Sequence, residues 1–366
     1  MSKIISIATA NPTFKHKQED ILHYMTEMLQ PSLDEKKLLN ILYQRSGIKT
    51  RYSVLPEFSE RYASHHASFF DNVEEDPSLD DRMKVYHQHA GQLGADSAHK
   101  SLDGFIKPAE VTHLITVSCT GLSAPGLDIE LVELLGLEHT IYRTSVNFMG
   151  CYAALHALKH ADLICKADKN ARVLIVSVEI CTIHFQAKND ADNMMANLLF
   201  ADGAASALVC SDETADEKNW KGLKIENTHS EIHFKGKKDM AWKLSETGFL
   251  MTLSNYIPDL VEAGIKNLVA KTVGSLGKSQ SDINHWAIHP GGKRILDVIQ
   301  KELSITADDL NSAYATLENY GNMSSPTVLY VLKDLMDKKI NWTAKEIVFA
   351  AGFGPGLTME SMLLSN

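Results

Sequence analysis

The sequence predicts a layered α/β protein built from two similar halves. Three observations predict it. From residue 111 onward, short runs rich in Val and Ile alternate with helical apolar spacing. Four segments of the first half recur in the same order in the second, the first three at a near-constant offset of roughly 170 residues, as an internal duplication gives. The chain has 366 residues and 44% hydrophobic content, enough for one large or two medium cores.

The elements follow in order. A first strand ends near Asn11-Pro12, and helical patterns cover 17–29 and 34–46. The stretch 51–80, with His65-His66 and Glu74-Glu75-Asp76, is irregular, and apolar spacing predicts a helix over about 81–104. A strand over 111–118 and a helix over 126–135 follow. The helix that Cys151 opens runs to about residue 166. A β-branched strand covers 172–178, a helix 192–200, and a strand of small residues 203–209. The polar stretch 211–221 marks the boundary, giving halves 1–220 and 221–366. In the second half, 284–289 matches 111–118, the helix after Asn322 matches the Cys151 helix, 346–351 matches 172–178, and 357–364 matches 203–209.

Composition narrows the function. The net charge is −10 with no dense Lys/Arg block, so a nucleic-acid surface has no electrostatic basis. No apolar run approaches a bilayer span, and residues 1–8 enter a strand-like run too early for a signal peptide. Five cysteines, Cys119, Cys151, Cys165, Cys181 and Cys210, are scattered without C-x-x-C spacing. Disulfides and structural zinc are therefore not expected, and a reducing cytoplasm fits.

The chain is organised around Cys151, which follows Gly150 and precedes an Ala/Leu helix. Unpaired N–H groups and the positive end of the helix dipole favour thiolate there, preparing a nucleophile. Alone, such a cysteine is more often a small core residue. His289 ends a strand before Pro290-Gly291-Gly292, where it also reads as a turn residue. Asn322 follows Gly321, where it also reads as a helix cap. Gly352-Phe353-Gly354-Pro355-Gly356 also reads as an ordinary turn. All four fall in order at matching strand ends and helix starts, where α/β folds gather ligands. The set offers a nucleophile, an imidazole and an amide donor. His229 and His233, four apart on a strand-like run, lack the H-E-x-x-H pattern of a zinc site.

These motifs carry a resemblance. Cys151, His289-Pro290-Gly291-Gly292, Tyr320-Gly321-Asn322-Met323-Ser324-Ser325 and Gly352-Phe353-Gly354-Pro355-Gly356 together resemble the type III polyketide synthases, the chalcone synthase family, in its bacterial form. Gly121-Leu122-Ser123-Ala124-Pro125-Gly126, Val178-Glu179-Ile180 and 199–205 support it, so the likeness covers nearly the whole chain. It implies the thiolase fold, with duplicated βαβ halves in an αβαβα arrangement. It also implies a cytoplasmic homodimer, with CoA thioesters as substrates and no metal or redox cofactor.

The resemblance assigns roles. Cys151 would take a starter acyl group from CoA. His289 and Asn322 would stabilise the enolate left by malonyl-CoA decarboxylation, and that enolate would attack the Cys151 thioester. The chain would then cyclise to a pyrone or a resorcinol- or phloroglucinol-type product. Phe200 would gate the CoA tunnel, and Ser324, Gly354 and Pro355 would belong to the cavity. Lys37, Arg45, Lys293 and Arg294 are the cations expected at the CoA phosphates. Cys119 stands where plant relatives have threonine, Ala124 replaces a methionine, His184 a small polar residue and Trp242 a glycine. Met251 stands at a second phenylalanine gate. His184 and Trp242 would shrink the usual starter pocket while Ala124 opens space toward the partner subunit. A fatty-acyl starter is the first expectation and a small starter the second. The competing readings are a ketoacyl synthase III-like condensing enzyme using carrier-protein substrates and a non-catalytic acyl-CoA-binding protein.

Overall fold

The computed structural model describes residues 1–63, 68–70, 76–254 and 256–366. His65-His66 and Glu74-Glu75 thus lie outside the described residues. The chain opens with β1 (Ser2–Ala10) and β2 (Phe14–Lys17), then α1 (Gln18–Leu29), α2 (Leu33–Arg45), β3 (Thr50–Ser53) and the short α3 (Glu60–Ala63). Next come α4 (Leu79–Leu102), β4 (His113–Ser118), α5 (Leu127–Leu135), β5 (Tyr142–Asn147), α6 (Ala153–Ala167) and β6 (Arg172–Ile180). The first half ends with α7 (Ala191–Leu199) and β7 (Asp202–Ser211). The polar stretch expected as a boundary holds α8 (Asp212–Glu217), whose first turn is capped by the Ser211 hydroxyl accepting from Thr214 N–H.

The second half begins with β8 (Leu223–Ile232), the hairpin β9 (Met240–Ser245) and β10 (Gly248–Leu253), and α9 (Ile257–Gly274). It closes with β11 (His285–Ile288), α10 (Lys293–Leu303), α11 (Asn311–Tyr320), α12 (Thr327–Lys338), β12 (Ile347–Gly354) and β13 (Thr358–Ser365).

Nine strands form one mixed sheet in the order β11-β12-β13-β8-β1-β7-β6-β4-β5. β6 pairs in parallel with β4 and antiparallel with β7, and β12 pairs in parallel with β11 and antiparallel with β13. The segments matched in the sequence thus share a pairing pattern. The joint between the halves is narrow, because β1 meets β8 only at Lys3↔Lys224 and Ile4↔Leu223.

Layering follows from which faces are apolar. β6 and β7 are buried on both faces, so they read as continuous apolar or small runs rather than alternating ones. α4 covers one face of β1, β7 and β6, and α9 covers β8 and β13. Between the two half-sheets lie α6 and α12. α6 touches β4, β6 and β7 on one side and β13 on the other, and α12 touches β1 and β7 as well as β11 and β12. Ala153, Ala154, Ala157 and Ala161 of α6 have no solvent exposure. Their small side chains let two sheets close on one helix at interior packing density. The result is the expected αβαβα order, with the starts of α6 and α12 at its centre.

Candidate active site

The segment after β5 turns sharply, with Phe148 at φ 58° and Gly150 at φ 84°. A Cβ on Gly150 would lie 2.4 Å from Pro355 Cδ, so this turn needs glycine for space as well as for backbone angle. Gly150 N–H donates to Cys119 Sγ at 3.1 Å. Cys151 follows, just before Tyr152 caps α6. From the other half, Asn322 and Ser324 lie on the loop between α11 and α12. Ser324 adopts φ 59°, and its hydroxyl lies 3.6 Å from Cys151 Sγ. Asn322 Oδ1 accepts from Ser324 N–H at 2.8 Å, and its Nδ2 donates to Gly291 O at 3.2 Å. These contacts orient the amide with its donor end toward the segment that carries His289, which directly follows β11.

Burial acts against the thiolate expected at Cys151. Cys151 opens on the cavity but its sulfur is enclosed by protein. Burial pushes its thiol up to about 11, against smaller opposing effects of Ser324 and Asn322. Desolvation and the helix terminus act in opposite directions here. His289 is 1% exposed, and burial lowers it to about 3. Neither of its ring nitrogens has a hydrogen-bond partner among the described residues. Both shifts run toward the neutral forms, a thiol and an imidazole.

Beneath Cys119 lies Glu179, fully buried and raised to about 7 by that burial. Its Oε2 accepts from Cys119 N–H at 2.9 Å and Thr120 Oγ–H at 2.8 Å. Its Oε1 lies 2.5 Å from Ser325 Oγ, which in turn lies 2.9 Å from Ser177 Oγ.

A cavity of about 620 Å³ opens over these groups. Of the residues expected from sequence, Cys151, His289, Asn322, Phe200, Cys119, Trp242, Met251, Ser324 and Pro355 line it, and Arg45, Lys293 and Arg294 stand among its lining residues. Four do not. Lys37 sits on the exposed face of α2, 3.1 Å from Asp34. Ala124 lies in an exposed loop between β4 and α5. Gly354 packs under Tyr152, where a Cβ would lie 2.6 Å from the ring. His184 stands behind Trp242 rather than in the pocket. It stacks on Phe249 at 4.3 Å, donates from Nε2 to Thr120 O at 2.7 Å and accepts Phe249 N–H at 3.2 Å. Burial lowers it to about 3, so it is a neutral brace. Trp242 donates its indole N–H to Cys119 O at 3.0 Å.

The mouth is less cationic than expected. Lys293 pairs with Asp297 at 2.7 Å and Arg294 with Asp259 at 3.3 Å. Outside this region, His229 and His233 each lie 3.1 Å from the Glu231 carboxylate between them, with Lys271 at 2.9 Å. Sequence reasoning gave no role to the apolar wall of Leu42, Met195, Leu198, Leu253 and Ile257. The 34–46 helix did carry a signal, because Leu38, Leu39, Ile41, Leu42 and Tyr43 are more apolar residues than one core-facing stripe needs.

Comparison with known proteins places this geometry. Residues 1–213 match the family described as chalcone and stilbene synthases, N-terminal domain, and residues 224–366 match its C-terminal domain. The chain is 29% identical over 363 residues to the alpha-pyrone synthesis polyketide synthase-like Pks18 of Mycobacterium tuberculosis, covering 98% of this chain and 90% of that protein. Among solved structures, it is similar to PKS-I from the brown alga Ectocarpus siliculosus. That likeness has TM-score 0.92, 25% identity, and coverage of 99% of this chain and 97% of the other. It is also similar to the C-terminal type III polyketide synthase domain of Steely1 from Dictyostelium, at TM-score 0.89 and 26% identity, covering 100% and 99% of the two chains.

Proposed function

The chain belongs to the chalcone and stilbene synthase family and is a type III polyketide synthase acting on CoA thioesters, and we propose that Cys151, His289 and Asn322 carry its chemistry. The observation that supports this is their meeting at one cavity, with Cys151 and Ser324 in contact across the two halves.

In this reading, Cys151 sulfur attacks the starter thioester carbonyl while its proton passes to His289. The C–S bond to CoA breaks, and the proton leaves with the CoA thiol. Malonyl-CoA then loses CO2, and the electrons of the broken C–C bond move into its thioester as an enolate. Asn322 Nδ2–H and an N–H of His289 donate to that oxygen, in a site where preorganised donors count most. The enolate carbon attacks the Cys151 thioester, and the cysteine leaves as thiolate to accept the longer chain. Phe200 stands at the cavity as the gate. Every step is an acyl transfer or a decarboxylation, so the reading assigns no metal or redox group.

For the starter, the apolar wall supports a fatty-acyl chain, and a pyrone is the product this reading favours. The relative described as an alpha-pyrone synthesis protein is consistent with it. A homodimer is supported by β5, which among the described residues pairs only with β4 and leaves exposed residues along its outer edge. Five free cysteines support a reducing compartment. The boundary between halves near residue 220 fits the narrow β1–β8 joint.

Incubation with malonyl-CoA and starter CoAs of increasing length, read by mass spectrometry beside Cys151→Ala, tests the reading. Products whose mass follows the starter, absent in the variant, are expected. A folded protein that makes no product and releases no CO2 with any starter would overturn it and direct attention to carrier-protein substrates.

A further inference from the structure

The last four carbonyls of an α-helix have no partner inside it. At the end of α7 all of the carbonyls from 197 to 200 are taken, by residues from three other parts of the chain. Asn197 O and Phe200 O accept from Arg51 Nη1 at 2.8 and 2.5 Å, and Leu198 O accepts from Gln18 Nε2 at 3.0 Å. Leu199 O accepts from Asn322 N–H at 2.9 Å, and Ala201 N–H donates to Asn322 O at 2.9 Å. Gln18 and Arg51 are themselves joined, because Arg51 Nε donates to Gln18 Oε1 at 2.8 Å. One turn of backbone therefore carries Phe200 and fixes the main chain of Asn322.

Arg51 is 2% exposed, and no carboxylate lies within ion-pairing distance of it among the described residues. Its charge is spent on carbonyls, where charge-assisted hydrogen bonds are short and strong. It also sets the approach of the Asn322 loop. A Cβ on Gly321 would lie 2.8 Å from Arg51 Cγ, and Gly321 has φ 69°. The guanidinium and the glycine thus fit each other directly before Asn322.

We propose that Arg51, braced by Gln18, is a positioning residue that holds Phe200 and Asn322 in fixed relation to Cys151. This rests on the catalytic reading above. Loss of the clamp lets the end of α7 and the Asn322 loop shift separately. The step that suffers is the one that needs the Asn322 amide aimed at an enolate oxygen. Starter loading, which needs Cys151 and His289, is spared.

The experiment separates those steps. Full-length protein carrying Arg51→Lys, and separately Gln18→Met, is loaded with a starter CoA, and acyl-enzyme is counted by intact mass. CO2 release from malonyl-CoA is then measured per loaded Cys151. Loading within about twofold of the parent is expected, with CO2 release per loaded site down about tenfold or more in Arg51→Lys and less in Gln18→Met, since small misplacements of a catalytic group have large rate effects. Unchanged CO2 release per loaded site would overturn the proposal, as would loading and release falling in parallel. Gln18→Met decides the question if Arg51→Lys does not fold. Cys151→Ala runs beside them. If that variant still loads, the catalytic reading fails rather than the clamp.

Discussion

The Ser324 hydroxyl lies 3.6 Å from the Cys151 sulfur, across the seam between the two halves of the chain. Ser324 reaches it from a left-handed backbone conformation, φ 59°, stabilised by its N–H bond to Asn322 Oδ1. Cys151 thus rests against a hydroxyl, and the His289 imidazole has no hydrogen-bond partner among the described residues.

The upward shift of the Cys151 thiol has a measurable consequence. The Cys151 pKa is raised from 9.0 to about 11 by burial. A thiol is neutral when protonated, so the stability this shift contributes is present below pH 9 and lost as pH rises through about 11. The iodoacetamide alkylation rate of Cys151 in substrate-free enzyme should still be climbing between pH 7 and 9, about tenfold per unit. Ser324→Ala removes a hydrogen bond that lowers the pKa, so it should slow alkylation at fixed pH. A rate already level below pH 7 would mean that the thiolate is preformed.

Glu179 predicts a pH dependence of stability. Its carboxyl, ordinarily at 4.5, is raised to about 7 by burial. The stabilising protonated form is fully present below pH 4.5 and lost as pH rises through about 7. Glu179→Gln should flatten the resulting decline in urea midpoint between pH 5 and 8. An amide nitrogen in place of Oε1 can donate to Ser325, whose own proton then passes to Ser177. Glu179→Ala instead leaves three buried donors unmatched, at about 1–3 kcal/mol each, and should lower the midpoint at every pH.

Trp242 is predicted to limit the pocket. Trp242→Ala removes the indole that lines the cavity and its bond to Cys119 O. It should cost about 3 kcal/mol in stability, by cavity formation, and shift products toward longer or bulkier starters in competition assays. An unchanged starter profile in the folded variant would place the size limit elsewhere, on Met195, Met251 or Leu253.

The fold was legible because its elements are locally marked. Continuous β-branched runs identify buried strands such as 172–180, and Ala-rich spacing identifies α6 as a helix packed on two sides. Cys151, His289 and Asn322 were legible because each sits at an element boundary with its own turn chemistry. What stayed hidden depends on distant side chains. His184 looks like a pocket residue until Phe249 and Thr120 are seen to turn it away. Arg51 opens a stretch that reads as irregular, and nothing near it in sequence announces the carbonyls of 197 and 200. The burial that opposes a thiolate at Cys151 stayed hidden for the same reason. The helix terminus is visible in sequence, and the desolvation that opposes it is not.

The acidic residues at the cavity mouth give the last prediction. Lys293 is held by Asp297 on the next turn of α10, and Asp297 also accepts from the Tyr314 hydroxyl at 2.8 Å. Arg45 lines the mouth from α2 without a carboxylate in ion-pairing range among the described residues. Asp297→Asn keeps an oxygen for Tyr314 but removes a negative charge and frees Lys293. KM for acyl-CoA should fall about twofold to fivefold at low salt, the size expected of exposed charges worth ~0.2–1 kcal/mol. The gain should fade near 0.5 M salt, about where screening shortens charge interactions to a few ångströms. Arg45→Ala should raise KM under the same conditions with kcat unchanged, because the phosphate contact is equal in ground and transition states. A KM that ignores both substitutions and salt would mean that CoA phosphates do not rest at this mouth.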